Sequence, residues 1–221
     1  MKTVPSKNPI IKNSPRKAFS KERLDVREAC VSEALRIISR DGVESLSLRE
    51  VSRRLNVSHQ APYKHFPSRE HILAEVIGRA FSDFTRHLEA TIYNNGSTHS
   101  NDPKMALATI GRAYLEYAMQ NPLQYRLMFG TPLPDFKEHP QLADKAAEAF
   151  SILKEVIRAI KKNADENELT MESLFAWSTV HGLASITQSG SFSMLAIHEP
   201  ERLSEAIQYV MSHICSAVSN N

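Results

Sequence analysis

Residues 57–67, VSHQAPYKHFP, place many hydrogen-bonding side chains between two strongly helical stretches. A glutamine amide can pair with an adenine edge, a lysine can reach guanine or phosphate, and a tyrosine hydroxyl can donate to phosphate. This chemistry suits a nucleic-acid surface if a short helix presents the side chains together. The side chains that such a helix would turn outward are His59, Gln60, Ala61, Lys64 and His65, with Tyr63 placed to donate to phosphate.

The flanking sequence supplies the elements that would position this short helix. Residues 47–50, SLRE, form a capping-box pattern that predicts a helix over 48–55, and Asn56-Val57 predicts a tight turn. The next helix is capped by Ser58 or His59, and Pro67 ends it. If His59 is the cap, Pro62 occupies the third helical position and removes no hydrogen bond within the helix.

Three helices near residues 23–41, 48–55 and 59–65 match a helix-turn-helix, whose last helix lies in a DNA major groove. Ser47 and Arg49 would contact the DNA backbone at the start of the second helix, and Arg69 follows at the start of the fourth. A helical hairpin with ordinary polar surface residues is the alternative. The predicted core of the unit comprises Val51, Leu55, Val57 and Phe66 with Ala34, Leu35 and Ile38.

Charge is unevenly distributed along the 221 residues, although the net charge is only +2. Residues 1–70 contain fifteen Lys or Arg against eight Asp or Glu, whereas residues 71–221 contain twelve against seventeen. A positive N-terminal region is expected where a polyanion binds, although a solvated face would give the same asymmetry. Residues 1–20 contain basic residues without acids, so we expect a disordered basic arm.

Helical periodicity continues to the C-terminus without a convincing strand pattern, so the sequence predicts an all-α protein of about nine helices. Pro103 and Pro122 open two helices, Thr170 caps a helix that continues to about Gln188, and Pro200 opens the last. The expected organisation is a disordered arm at 1–20, a helix-turn-helix domain at 21–68, and a helical ligand-binding and dimerisation domain at 69–221.

Residues 42–51, GVESLSLREV, together with residues 57–73, VSHQAPYKHFPSREHIL, resemble the DNA-binding domain of tetracycline-repressor (TetR) family regulators. The resemblance covers residues 23–75. It implies an all-helical homodimer whose larger domain binds a small ligand that releases the repressor from operator DNA. Many family members have a leucine at the position of Pro62. The residues implied in DNA contact are Ser47, Arg49, His59, Gln60, Ala61, Tyr63, Lys64, His65 and Arg69.

Residues 121–130, NPLQYRLMFG, followed by Trp177 and His181-Gly182, resemble a C-terminal domain subtype marked by Trp, His and Gly. Trp177 and His181 are four residues apart and share a helix face. The histidine is either a satisfied core residue or part of a mostly apolar ligand pocket. The predicted pocket residues are Tyr114, Tyr125, Met128, Phe129, Trp177 and His181.

The helices near 170–188 and 200–218 are unusually apolar for surface helices. Either they are buried in the monomer or they form a four-helix interface with a second copy. A dimer suits DNA, because two recognition helices about 34–36 Å apart contact successive major grooves of a palindrome.

Other functional classes have little support in the sequence. It contains no GxSxG, GxGxxG or phosphate loop, and His71 and Glu75, four residues apart, have no evident third metal ligand, so neither an enzyme nor a cofactor is expected. No run of about 18 apolar residues predicts a membrane span. Cys30 fits a buried, reduced thiol in a protein of the bacterial cytoplasm. A DNA-binding regulator controlled by a protein partner, or an activator, remains an alternative.

Overall fold

The structure, a computed structural model, describes residues 25–94, 102–130, 132–191 and 200–219. Within these ranges the chain forms nine α-helices, a 3₁₀ turn at Val43–Ser45 and no strand, which confirms the predicted all-α class. The predicted basic arm at residues 1–20 lies outside the described residues. The helices are α1 Val26–Asp41, α2 Leu48–Leu55, α3 Gln60–Tyr63, α4 Arg69–Asn94, α5 Pro103–Gln120, α6 Pro122–Phe129, α7 Pro140–Ile160, α8 Glu166–Gln188 and α9 Pro200–Ser219.

Local signals set the ends of the first helices as predicted. Gly42 ends α1 with a φ of 86°, which L residues rarely adopt, and Asn56 ends α2 in the left-handed conformation. Ser47 accepts a hydrogen bond from the backbone N–H of Glu50, 3.1 Å away. The reciprocal half of the predicted capping box does not form, because the Glu50 carboxylate accepts hydrogen bonds from the Arg53 and Arg54 guanidinium groups instead.

The predicted core of the helix-turn-helix is largely present. Val51, Phe66 and Ala34 are buried, whereas Leu55 and Val57 are only half-buried. The ring of Pro62 is fully buried as well. The helix α3 begins after His59, so Pro62 is its third residue and removes no intrahelical hydrogen bond. The proline therefore fills core volume without cost to the helix backbone.

The 26-residue helix α4 connects the helix-turn-helix to the rest of the molecule. It packs against α1, α5, α6 and α7 within one continuous apolar core. A helix of this length extends about 39 Å at 1.5 Å per residue. It is the element through which the two regions are mechanically connected.

The helices α5 to α9 form the larger helical region around α5, which contacts α4, α6, α7, α8 and α9. Pro103 and Pro122 open α5 and α6 as predicted. The prediction that Thr170 caps α8 was wrong. Asp165 caps that helix by accepting a hydrogen bond from the Glu168 backbone N–H at 2.9 Å, and Thr170 lies inside it, donating to the Glu166 carbonyl.

Candidate DNA-contact surface and ligand cavity

The predicted DNA-contact residues fall into two groups by exposure. Ser47, Ala61 and Arg69 are half-buried. The other six are exposed on α3, beside it, or in the first turn of α2. They are Arg49, His59, Gln60, Tyr63, Lys64 and His65. Because α3 packs against both α1 and α2, these exposed side chains are carried on a fixed scaffold.

Arg69 has backbone partners that the sequence did not indicate. Its Nε donates to the Leu46 carbonyl at 3.0 Å, and its Nη2 donates to the Val43 carbonyl at 2.7 Å. These bonds tie the first residue of α4 to the turn that precedes α2. Arg69 is thus an internal support of the helix-turn-helix, since two of its guanidinium nitrogens are committed to the protein backbone.

An ion-pair network joins the first turn of α1 to α4. Glu75 accepts hydrogen bonds from Arg27 and Arg79, each at 2.8 Å, and Arg79 also forms a two-bonded pair with Glu28 at 2.6 Å. Burial opposes ionisation of Glu75, but the bonds from Arg79 and Arg27 outweigh it and hold its pKa below the usual value. The Arg27 guanidinium also lies 5.5 Å from the centre of the Phe66 ring. This network was not predicted, although the Glu75–Arg79 spacing of four residues was a signal for part of it.

A cavity of about 290 Å³ lies among α4, α5, α6, α7, α8 and α9. Four of the six predicted pocket residues line it: Tyr114, Met128, Phe129 and Trp177. Apolar side chains supply most of the remaining wall, including Phe84 of α4. No Asp, Glu, Lys, Arg or His belongs to the wall as far as the described residues form it.

Tyr125 and His181, the other two predicted pocket residues, lie behind the cavity wall. The Nδ1 atom of His181 lies 2.9 Å from the Tyr114 hydroxyl and 2.8 Å from the Tyr125 hydroxyl. Burial raises the pKa of both tyrosines and lowers the pKa of His181, so all three groups are neutral near pH 7. The Trp177 and His181 rings, 5.8 Å apart, connect this polar cluster to the wall.

Two family models match the chain. Residues 31–76 match the model of bacterial regulatory proteins of the tetR family, and residues 107–210 match the tetracyclin repressor-like C-terminal domain. The chain belongs to the TetR family. The first match covers most of the helix-turn-helix, and the second contains most of the cavity wall.

This TetR family chain is similar to characterised sequences over part of its length. It is 27% identical over 123 residues to the HTH-type transcriptional regulator Rv1816 of Mycobacterium tuberculosis, covering 54% of this chain and 51% of the relative. It is 26% identical over 125 residues to the nucleoid occlusion factor SlmA of Glaesserella parasuis, covering 57% of each. The chain thus spans about half the length of the curated relatives it matches.

Solved structures share the fold of this TetR family chain more completely. A protein of unknown function from Rhodococcus sp. RHA1 superposes with a TM-score of 0.73 at 21% identity, covering 92% of this chain and all of the other. The TetR family regulator PfmR from Thermus thermophilus gives a TM-score of 0.55 at 19% identity, with 84% and 96% coverage. At such identities the likeness concerns the fold.

The described part of this TetR family chain was also compared with the features of membrane spans and metal sites. None of its helices is both long and apolar enough to cross a membrane. Within the same residues, no three His, Cys, Asp or Glu side chains are arranged to hold a metal ion. Cys30 is a free, buried thiol, as predicted, and burial raises its pKa.

Proposed function

We propose that the protein is a DNA-binding transcriptional regulator, a repressor of a palindromic operator that a small-molecule ligand releases. One observation carries this function: the helix α4 begins at Arg69, which supports the helix-turn-helix, and continues to Phe84 and Leu88 in the cavity wall. A single rigid element thereby links the surface suited to DNA with the cavity suited to a ligand.

In this proposal α3 lies in the major groove. Gln60 pairs with an adenine edge, Lys64 contacts guanine or phosphate, and the Tyr63 hydroxyl contacts phosphate. Ser47 and Arg49 contact the DNA backbone at the start of α2, where the helix N-terminus favours an anion. The concentration of positive charge in residues 1–70 supports DNA as the partner.

A homodimer through α8 and α9 would supply the second DNA-contact surface. Large apolar side chains that are 40–65% exposed support this arrangement: on α8 Met171, Leu174, Phe175 and Ile186, and on α9 Tyr209. Pairing these helices with those of a second copy would bury the side chains and fix the spacing between the two α3 helices.

Release requires that the ligand bind better to a conformation whose α3 helices no longer match the operator. A tenfold loss of operator affinity needs only about 1.4 kcal/mol of coupling. A ligand that displaces Phe84 or Leu88 would shift α4 and, through Arg69 and Glu75, the helix-turn-helix. We also propose that the C-terminal region is of the subtype marked by Trp, His and Gly, which the contact between Trp177 and His181 supports.

The DNA-binding half is tested by selecting bound duplexes from a random pool and titrating the best one in a gel shift at several salt concentrations. We expect affinity to fall with salt, and Lys64→Ala to weaken binding and reduce the logarithmic salt slope by about 0.9. The matched control is Lys162→Ala, an exposed lysine after α7. DNA binding that weakens neither with added salt nor in the Lys64→Ala variant would contradict the proposed DNA-binding function.

A further inference from the structure

We propose that the effector is an uncharged, largely apolar molecule with one hydrogen-bonding oxygen, which binds the hydroxyl of Tyr114. This inference rests on the proposed function, because it names the class of ligand for the cavity described above. Three observations support it. The described wall contains no charged residue, the tyrosine and histidine cluster behind the wall can form one more hydrogen bond, and apolar side chains lie at the edge of the cavity.

The described wall offers no counter-ion to a charged ligand. None of its residues is acidic, basic or a histidine in the part of the chain that the structure describes. The thiol of Cys215, on the α9 side, stays protonated because burial raises its pKa. A carboxylate or ammonium group inside the cavity would lose its water without gaining a counter-ion, which strongly opposes binding. The effector that fits this wall is therefore neutral.

In the Tyr114–Tyr125–His181 cluster, one tyrosine hydroxyl remains able to form a hydrogen bond with a ligand. Two hydroxyl groups approach the single Nδ1 atom of His181, which holds either one lone pair or one hydrogen. Two further links are long: the Tyr114 hydroxyl lies 3.5 Å from the Tyr125 oxygen, and the Tyr125 hydroxyl donates to the His181 backbone carbonyl at 3.4 Å. Two tyrosines thus share one nitrogen, and because Tyr125 also reaches a carbonyl, Tyr114 can serve a ligand without leaving Tyr125 unpaired.

Tyr114 is the member that can serve the ligand, because it lines the cavity whereas Tyr125 and His181 do not. Its hydroxyl keeps its proton, since burial raises its pKa, and can donate to a ketone, ester, ether or hydroxyl oxygen. A ligand oxygen at the usual 2.7–2.8 Å of an O–H···O bond would replace the long bond to Tyr125. This single hydrogen bond from Tyr114 would orient the ligand in the cavity.

The segment between α6 and α7 adds an apolar edge to the cavity. Leu133 and Phe136 line it while remaining 38% and 41% exposed. Apolar side chains that contact both solvent and the interior suit the entry of an apolar molecule. The volume of about 290 Å³ is near the lower end for ligand pockets, which fits a molecule of modest size.

The test uses probes that share one chain length and differ in the head group. The full-length protein is loaded with the neutral fluorophore N-phenyl-1-naphthylamine at pH 7.5, and decane, decan-2-one, decanoate and decylammonium are titrated as displacing ligands. We expect decan-2-one to bind at least ~30-fold more tightly than either ion, because a charged head group loses far more hydration than a ketone and finds no counter-ion in the described wall.

The matched variants are Tyr114→Phe and Tyr117→Phe. Tyr117 is also buried in α5, but its hydroxyl donates to the Ala80 carbonyl at 3.3 Å and it does not line the cavity. We expect Tyr114→Phe to weaken decan-2-one binding about three- to tenfold and to leave decane unchanged. Tyr117→Phe should leave the affinities for both probes unchanged.

Two results would overturn the inference while leaving the ligand cavity intact: an ion that binds as tightly as decan-2-one, or a Tyr114→Phe variant that weakens decane and decan-2-one equally. Failure of every probe and of the fluorophore to bind would overturn the inference together with the ligand half of the proposed function. The gel shift decides the DNA-binding half separately, because it uses no ligand.

Discussion

The Nδ1 atom of His59 lies 3.1 Å from the Oγ atom of Ser52, so a side-chain contact closes the turn between α2 and α3. The Ser52 hydroxyl donates its single proton to the Arg49 carbonyl at 2.8 Å. Its oxygen therefore accepts from Nδ1–H of His59, and with Nδ1 as the donor the acceptor nitrogen of a neutral imidazole is Nε2. In a major groove such an acceptor matches the amino group of cytosine or adenine.

We expect Ser52→Ala to weaken operator binding about three- to tenfold, because the His59 ring loses its fixed orientation. The free energy of unfolding should fall by about 1–2 kcal/mol, since the bonds to the Arg49 carbonyl and to His59 are both lost. Gel shift and urea denaturation measure the two effects. Ser151→Ala is the control, because Ser151 makes a similar bond to the Glu148 carbonyl on α7. Unchanged operator affinity in Ser52→Ala would show that the contact does not orient the ring.

Arg69→Lys separates a supporting role from a DNA contact. Lysine keeps the charge but lacks the planar group that donates to Val43 and Leu46 together. We expect Arg69→Lys and Arg69→Ala to lower the free energy of unfolding by about 1–3 kcal/mol and to weaken operator binding to a similar extent. Denaturant titration and gel shift measure the two effects.

The control for Arg69→Lys is Arg86→Lys, on an arginine of α4 whose side chain is 73% exposed and pairs with Asp83. If Arg69→Lys retains operator affinity while Arg69→Ala loses it, the charge itself is what DNA requires. That result would support the DNA contact by Arg69 that the family resemblance implies.

Pro62→Ala tests whether the buried ring stabilises the helix-turn-helix. Removing the ring leaves unfilled core volume, and the restored N–H at the third helical position has no intrahelical acceptor. We expect a loss of about 1–2 kcal/mol in the free energy of unfolding, measured by thermal denaturation. Pro67→Ala is the control, since Pro67 is exposed and loses the same restriction on the unfolded chain. Equal losses in the two variants would mean that burial of Pro62 contributes nothing.

The ends of α1 and α2 were predictable because adjacent residues determine them. Gly42 and Asn56 end these helices through their own backbone conformations, and Ser47 caps α2 across three positions. The start of α8 was predictable in principle, because Asp165 precedes Glu168 at capping spacing. Thr170 offers a competing cap five residues later, and local sequence alone does not decide between the two.

The sequence predicted some of the residues that line the cavity, but it did not show which other apolar residues complete the wall. Tyr114 and Trp177 were recognisable as aromatic residues on apolar helices. Phe84 and Met211 belong to apolar stripes that look identical whether they face a core or a cavity, because periodicity records burial and not the partner. The partners of Arg69 lay beyond prediction for a similar reason: they are carbonyl groups 23 and 26 residues away.

Phe175→Glu tests the proposed dimer surface on α8. Phe175 is 44% exposed beside Leu174, so the monomer should tolerate a glutamate there, whereas an apolar interface would bury an unpaired charge. We expect sedimentation to show a monomer and the affinity for a palindromic operator to fall at least ~tenfold. Affinity for an isolated half-site should stay unchanged, because the helix-turn-helix is intact.

Met105→Glu is the control, because Met105 on α5 is similarly exposed, at 47%, and lies outside the proposed interface. It should remain dimeric and bind the palindrome normally, which separates loss of the interface from a general effect of added negative charge. A Phe175→Glu protein that stays dimeric with full operator affinity would place the dimer contact elsewhere. A monomer that still binds the palindrome normally would show that paired half-sites contribute nothing to operator recognition.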